Sequence, residues 1–539
     1  MSASREKQNR QAGAGRTDSK TAREAQQRKE EKRNNVLYGV IAAAVAIAVI
    51  VSVIWRSDFI PRMSTAATID GVKYSTAEVD YYYQSAYRSF VSNSQYSYLL
   101  SYLGLNTGAS LKSQEISAST ASLLGINLPG IDADALGEDE AAAVSTGVTW
   151  HDYFLDKALE NMGVIQATLK AADAEGFEFP AGVQVQYNDN MESLKSVAAA
   201  SGVSVSQYLK ANFGGGVTEK VYGEQLMRVL RYSAYAEAYQ NSLTFSNSEL
   251  EETYSADRNS FDHVSYESSS ISGAAPTTQD ADGNTVEPTE EESAAALDAA
   301  RETAQALLAE VNAGGNLETL ADSYENATYT FTDNGSYNSS SVISEWLYDG
   351  TREAGDAAVL EDGTVQYVVI FHDRFRDENP TIDIRHILVP LGAATLTAED
   401  EGYDAEQAQL KAAAHAKAEE LLTQWQSGDA TEASFAALAM AESTDGSKYD
   451  GGLYTEVYQG QMVTEFNDWC FDASRKPGDT GVVDTQYGAH VMYFSGSGLN
   501  RWQSQAANIL RNEAYTAWED GLTENVTVQR NESGLKLIG

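Results

Sequence analysis

The sequence predicts an α+β protein with one membrane-spanning helix near its amino terminus, a mainly helical block, and two tandem copies of one α+β unit. Three observations carry this reading. The twenty residues from Val36 to Trp55 bear no charge. Capping signals and apolar stripes of helical period dominate the stretch that follows, and the segments 258–376 and 380–498 repeat one another. At 539 residues the chain is too long for one core. A formal charge of −41 excludes a nucleic-acid partner, because phosphate binding needs clustered Lys and Arg. The single cysteine, Cys470, rules out an internal disulfide framework, and no Cys/His cluster at ligand spacing points to zinc. No metal or cofactor is expected.

Residues 1–35 carry ten Lys or Arg against five Asp or Glu, without apolar periodicity, and read as a disordered basic tail. The span 36–56 has the length of a bilayer-crossing helix of ~30 Å, with Trp55 as an interfacial anchor. A cleaved signal peptide is the competing reading, but its apolar region is usually only ~7 to 15 residues. With the basic flank held in the cytoplasm, everything after Arg56 is expected outside, at a bacterial cell membrane crossed once.

In "ATIDGVKYSTAEVDYYYQ", Asp70-Gly71 is a two-residue hairpin signal, and Ser75 with Glu78 forms a capping box that opens a helix. Helical patterns continue through "TWHDYFLDKALENMGVIQATLKAADAEG" and "VTEKVYGEQLMRVLRYSAYAEAYQNSL", around a Ser-, Gly- and Ala-rich stretch at 104–147 that reads as loop. Ser246 with Glu249 caps a further helix. The tyrosine run could form a cradle for unfolded chains, although aromatics at helical spacing more often belong to a core. At the far end, 499–539, an apolar stripe through Trp502, Ala506, Ile509, Leu510, Ala514 and Trp518 predicts a helix, followed by a short strand at "VTVQ". That helix should return to the block at 57–257 and complete it.

The repeat is visible residue by residue. Ala304, Leu307, Leu308, Gly314, Leu317, Leu320 and Ala321 fall opposite Ala418, Leu421, Leu422, Gly428, Phe435, Leu438 and Ala439. In the second copy "DIRHILVPL" reads as a strand whose alternation puts His386 on one face with Ile384 and Leu388. "AHVMYF" does the same for His490, Met492 and Phe494. One such histidine is most simply a satisfied core residue. Two in one small sheet, beside "GQMVTEF" with Met462 and Phe466 adjacent on a helix face, point to an apolar pocket floored by imidazoles.

Through "RHILV", "SFAALAMAESTDGSKYDGGLY", "GQMVTEF", "KPGDTGVV" and "TQYGAHVMYF", the second copy resembles the parvulin-type peptidyl-prolyl isomerases. The resemblance implies that His386 and His490 are the family's paired sheet histidines and that Asp445 stands at its Cys-or-Asp position. It also places Leu453, Met462 and Phe466 around the proline ring and Tyr487 at a hydroxyl-bearing substrate position. The first copy resembles the same fold without the site, with Tyr266 read opposite His386, Tyr367 opposite His490, Val342 opposite Met462 and Trp346 opposite Phe466. A helical block with tandem parvulin units, one degenerate, resembles the SurA and PrsA class of extracytoplasmic foldases, and the anchor resembles the PpiD arrangement.

What the resemblance implies is a membrane-anchored isomerase and chaperone whose partners are newly exported polypeptides containing X-Pro bonds. The chemistry suits the residues. Isomerisation breaks no covalent bond, and its barrier of ~20 kcal/mol is lost amide resonance. A dry apolar pocket and a carboxylate near the carbonyl would both favour the twisted amide over the planar one. The alternative is a non-catalytic holdase that uses both parvulin units as binding modules. Cys470 sits away from the family's catalytic position and reads as a buried thiol. The acidic inserts "TTQDADGNTVEPTEEES" and "TAEDEGYDAEQ" read as solvated loops, with cation binding as the lesser reading.

Overall fold

The computed structural model describes residues 43–52, 59–93, 98–126, 144–280, 283–324 and 326–539. The basic tail and half of the apolar span Val36–Trp55 lie outside the described residues; within that span, 43–52 are helical and exposed. Among the described residues no helix is long and apolar enough to cross a membrane. The chain divides into two compact units, one of residues 1–177, 187–232 and 522–539, the other of 178–186 and 233–521.

The first unit starts with a hairpin of β1 (Thr65–Ile69) and β2 (Val72–Ser75). Its turn is Asp70-Gly71, with φ of 49° and 80°. Positive φ at both central residues matches the right-handed twist of the flanking strands. The Ser75/Glu78 box then opens α1 (Thr76–Ser92). A second box, Thr149 with Asp152, opens α2 (Trp150–Glu175). The tyrosine run is core: Tyr81, Tyr82 and Tyr83 are buried, the Tyr82 hydroxyl donates to Gln225, and Tyr83 shares a 3.0 Å bond with His151. The stretch expected as loop at 104–147 is partly ordered. Strand Glu115–Ser117 pairs with Ser145–Thr149, and Ser117 caps the helix Ala118–Leu123. Its few anchors, Ile116, Ala118 and Ala121, are buried but too sparse among Ser and Gly to show a period. Residues 127–143 lie outside the described residues.

The end of the chain closes this unit. Strand Val528–Arg530 pairs antiparallel with β1, and Leu535 and Ile538 are buried in the same core as Trp150 and Phe154.

The second unit holds two sheets of one topology. In the first repeat β3 (Asp262–Ser272), β4 (Ala327–Ser336), β5 (Ala357–Asp362) and β6 (Val365–Arg376) lie in the order β4-β3-β6-β5. In the second repeat β7 (Pro380–Pro390), β8 (Leu453–Val457), β9 (Thr480–Thr485) and β10 (Gly488–Asn500) lie in the order β8-β7-β10-β9. All neighbours are antiparallel. Helix α3 (Glu290–Asn312) and α4 (Leu317–Ala321) cover one face of the first sheet, as α5 (Tyr403–Ser427) and α6 (Glu432–Glu442) cover one face of the second. The residues matched between the copies are those cores: Ala304, Leu307 and Leu317 in one, Ala418, Leu421 and Phe435 in the other. On the opposite face of the second sheet sits the short helix α7 (Thr464–Cys470). The carboxy-terminal helix α8 (Arg501–Thr523) packs Trp502, Ala506 and Ala507 on Leu250, Tyr254 and Phe261, and its Trp518 stacks on Tyr239 at 4.2 Å.

Candidate functional site

Strands β7 and β10 are the two central strands of the second sheet, and their register sets the site. His386 lies opposite Met492 and His490 opposite Leu388, so the imidazoles are diagonal neighbours on one face. Their rings stack at 5.3 Å and their Nδ1 atoms are 3.1 Å apart. Phe466 of α7 stands edge-on to both, at 5.5 Å from His386 and 5.3 Å from His490. Met462, Met492, Phe494 and Ile384 complete the apolar surround. Both histidines are buried, at 2% and 5% exposure, so each ring nitrogen must find a partner inside the protein.

The carboxylate arrives on a loop. Ser443 and Thr444 bind the backbone of Leu388, and at the other end the His386 N–H donates to the Gly452 carbonyl at 2.8 Å. Both ends of the loop are thus pinned to β7 within three residues. Gly451 and Gly452 have φ of 68° and 76°, and a Cβ on Gly452 would collide with the His386 carbonyl oxygen. The double glycine is what lets the loop approach the strand so closely.

Asp445 caps the 3₁₀ turn Gly446–Asp450, and its Oδ1 accepts from the Ser447 N–H at 2.9 Å, the Ser447 hydroxyl at 2.6 Å and the Tyr454 hydroxyl at 2.9 Å. His386 Nε2 stands 3.3 Å from the same oxygen. These donors, His386 foremost and then Ser447, outweigh burial and hold the carboxyl well below its usual range. Asp445 is therefore an anion at neutral pH. Burial, and then the neighbouring His386, push His490 down to about 4, so His490 is neutral there.

An ionised Asp445 orders the protons along the pair. In the tautomer with hydrogen on Nε2, His386 donates to the Ser447 hydroxyl at 3.2 Å, which in turn donates to the carboxylate at 2.6 Å, leaving His386 Nδ1 to accept from His490 Nδ1–H. His490 Nε2 must then accept, and Thr485 Oγ1 lies 2.9 Å away. The Thr485 oxygen accepts from the Tyr487 N–H at 3.1 Å, and its one proton has the shorter path to His490 Nε2, the Gly488 carbonyl lying 3.4 Å away. The chain runs from the Thr485 hydroxyl through His490 and His386 to the Ser447 hydroxyl and on to the carboxylate, an assignment made from donor and acceptor counts. Its fixed polarity lines one wall of the pocket with a negative end at Asp445.

The structure brings together His386, Asp445, His490, Met462 and Phe466. It does not bring Leu453 to them. Leu453 pairs with Arg385, whose side chain reaches Glu432 on the helix-covered face, whereas Tyr454 pairs with Ile384 on the site face. The side chain at the sheet floor is Tyr454, stacked on His386 at 5.1 Å. Alternation along β8 flips the face at every residue, so an offset of one position in matching "YDGGLY" moves the wrong side chain into the pocket. Tyr487 is 58% exposed and joins the network only through its backbone. Sequence reasoning missed Tyr454, Ser447 and Thr485. The available signals were strand alternation for the first and the Asp-x-Ser turn spacing for the second; Thr485 needed the β9–β10 hairpin register. Cys470 is buried among Phe466 and its neighbours, and burial pushes its thiol up to about 12, as a structural cysteine requires.

The first repeat shows what losing the site looks like. Tyr367 lies opposite Ser270, as His490 lies opposite Leu388, so the counterpart of His386 two residues earlier is Ser268. Tyr266, the residue expected there, stands opposite Phe371 and corresponds to Ile384. The carboxylate loop is gone as well. α4 ends at Ala321 and β4 starts at Ala327, whereas α6 ends at Glu442 and β8 starts only at Leu453. Where the second repeat has a loop, the first has continuous strand.

Residues 371–496 match the family model of the PPIC-type PPIase domain, and this part of the chain carries a domain of that parvulin type. No curated protein is significantly similar to the chain. Among solved structures, the peptidylprolyl isomerase PrsA from Bacillus anthracis is 22% identical over 30% of this chain and 60% of its own, with a TM-score of 0.17. PrsA from Bacillus subtilis is 12% identical over 70% of this chain and 88% of its own, with a TM-score of 0.26. One of two SurA-like chaperones from Campylobacter jejuni is 13% identical over 78% and 96%, with a TM-score of 0.16. The chain thus spans 60% of the length of the Bacillus anthracis protein.

Proposed function

We propose that the chain is a peptidyl-prolyl cis/trans isomerase and chaperone that acts on newly exported polypeptides containing X-Pro bonds, with residues 380–498 as its catalytic unit. The observation that carries the reading is the buried His386–His490 pair ending on an ionised Asp445 beside Met462 and Phe466. A proline ring lodged against Phe466 and Met462 leaves water, which removes the hydrogen bonds that favour the planar, charge-separated amide. Asp445, negative and held in place, repels the carbonyl oxygen most when the amide is planar, because that oxygen loses partial charge on twisting. Both effects act on the difference between ground and transition states, which is the quantity that sets the rate.

The test is cis/trans exchange on a short proline peptide, followed by NMR with the full chain. The pH profile carries the diagnosis. The pKa of His490 in the folded protein lies below the ordinary 6.5, so its neutral form persists as pH falls until about 4. The rate should stay level from about pH 8 to about pH 6 and drop only on approach to pH 4. A fall with its midpoint near 6.5 would show that the rate is not controlled by the protonation of His490. Absence of exchange at every pH would leave the holdase reading.

The apolar run Val36–Trp55 and the basic residues before it support a single-pass anchor with the folded units outside a bacterial cell membrane. Protease added to wall-permeable cells should digest the folded units and leave residues 1–35 with the membrane. A mature chain beginning near Ala67 would identify the run as a signal peptide.

A further inference from the structure

The loop that carries Asp445 in the second repeat is replaced in the first by strand, and the replacement creates a surface. β4 spans ten residues, against five in β8, and stands at the edge of its sheet with β3 as its one strand neighbour among the described residues. Proteins blunt such edges with Lys, Pro, bulges or brevity, because an unpaired row of N–H and C=O groups recruits other strands. In β4, "ATYTFTDNGS" is rich in Thr and aromatics, holds no Pro or Lys, and carries a single charge, Asp333; its pairing with β3 bulges at Asp333–Asn334, and the stretch Ala327–Thr332 runs in unbroken register. Thr328, Thr330, Phe331, Asp333 and Asn334 are exposed, Phe331 at 53%.

We infer that β4 is a strand-addition site for extended, cationic, β-prone segments of unfolded polypeptides. Main-chain pairing would supply affinity without regard to sequence, and alternate side chains would settle against Tyr329 and Phe331 on one face and the Thr row on the other. Charge selects the occupant. Asp333 lies on the strand, Glu267 faces Phe331 from β3 with His372 Nε2 at 2.9 Å, and Glu318 is near enough to help raise the Tyr329 hydroxyl. A second copy of this chain would bring the same acidic edge and a net charge of −41, whereas Lys- or Arg-bearing segments are attracted. The inference does not depend on catalysis by the second repeat.

The probe is a fluorescein-labelled peptide of about twelve residues alternating Lys with Val or Thr and lacking proline, titrated by anisotropy into the full chain in detergent micelles. Adjacent strand residues point their N–H groups to opposite sides, so of Thr330→Pro and Phe331→Pro one should spare the pairing with β3 and melt as wild type does. That variant should bind the peptide at least about tenfold more weakly, with isomerisation unchanged. Should both variants melt early, Asp333→Lys serves: it should weaken the cationic peptide and strengthen its Glu-for-Lys counterpart. Undiminished binding in the well-folded variants would overturn the inference. So would sedimentation showing that the edge is occupied by a second copy.

Discussion

Removing residues 527–539 should unfold the amino-terminal unit while isomerisation by the other unit survives. The deleted segment is thirteen residues at the surface end of the chain, yet it supplies one strand and two anchors of that unit. Val528, Gln529 and Arg530 pair with Ile69, Thr68 and Ala67. Asn531 donates to the Ala66 carbonyl at 2.8 Å, and the Thr76 hydroxyl donates to the Gly534 carbonyl at 3.1 Å. Gly534 packs so closely on Thr65 that any Cβ there would collide with the strand backbone. Leu535 is 3% exposed and Ile538 0%, inside the cluster that holds Trp150, Phe154 and Ile69.

Each buried Leu or Ile is worth about 2 to 5 kcal/mol when removed from a packed core. Lost ladder bonds add about 1 kcal/mol each. The sum matches or exceeds the typical ~5 to 15 kcal/mol of a whole domain. Circular dichroism should show the loss of one melting transition, and hydrogen exchange should place it at 65–92 and 150–175. Ile538→Ala, which removes one anchor, should lower that transition without abolishing it. An unchanged melt in the truncated chain would mean that the terminal segment rests on the unit without holding it together.

How this closure was readable shows where sequence patterns reach and where they stop. The stripe through Trp502 and Trp518 and the β-prone "VTVQ" are local patterns, and both elements exist at Arg501–Thr523 and Val528–Arg530. What the strand pairs with is a matter of register between residues more than 450 positions apart, and periodicity holds no information about that. The same limit recurs at the site. His386 and His490 announce themselves because alternation puts each on the right face of its strand, and Phe466 lies on α7; Met462 reaches the pocket from the turn before that helix and not from the helix face its spacing predicts. Leu453 in place of Tyr454, and Tyr266 in place of Ser268, are errors of one and two positions in matching across a loop. Strands punish such errors because the side-chain period is two: a slip of one changes the face, and a slip of two keeps the face but shifts the contact. Thr485 is illegible for a different reason, since its hydroxyl's role is set by what the hairpin register brings within 3 Å of it.

Asp445→Asn should lower kcat/KM for a short proline peptide by on the order of 10²-fold with the fold intact, a cost typical of removing one preorganised electrostatic group from a dry site. The substitution keeps shape and an acceptor oxygen, so the amide can still receive the Ser447 N–H that caps the turn Gly446–Asp450. What it removes is the charge that orients the pair. Without an obligatory acceptor at Oδ1, His386 Nε2 no longer has to carry the proton, and the chain from Thr485 through His490 loses its single direction. The planar amide also loses the repulsion that raised its energy relative to the twisted one. Most of the effect should fall on kcat, because the proline ring would still be held by Phe466 and Met462, and KM should move little. Stability should fall by only about 1 to 2 kcal/mol, the cost of weakening charge-assisted bonds in a half-exposed loop. Asp445→Glu restores the charge one methylene farther out and should recover part of the rate. Equal rates in wild type and Asp445→Asn would assign catalysis to desolvation by Phe466 and Met462 alone. A collapse in melting temperature alongside the rate would instead make Asp445 a structural cap of its loop.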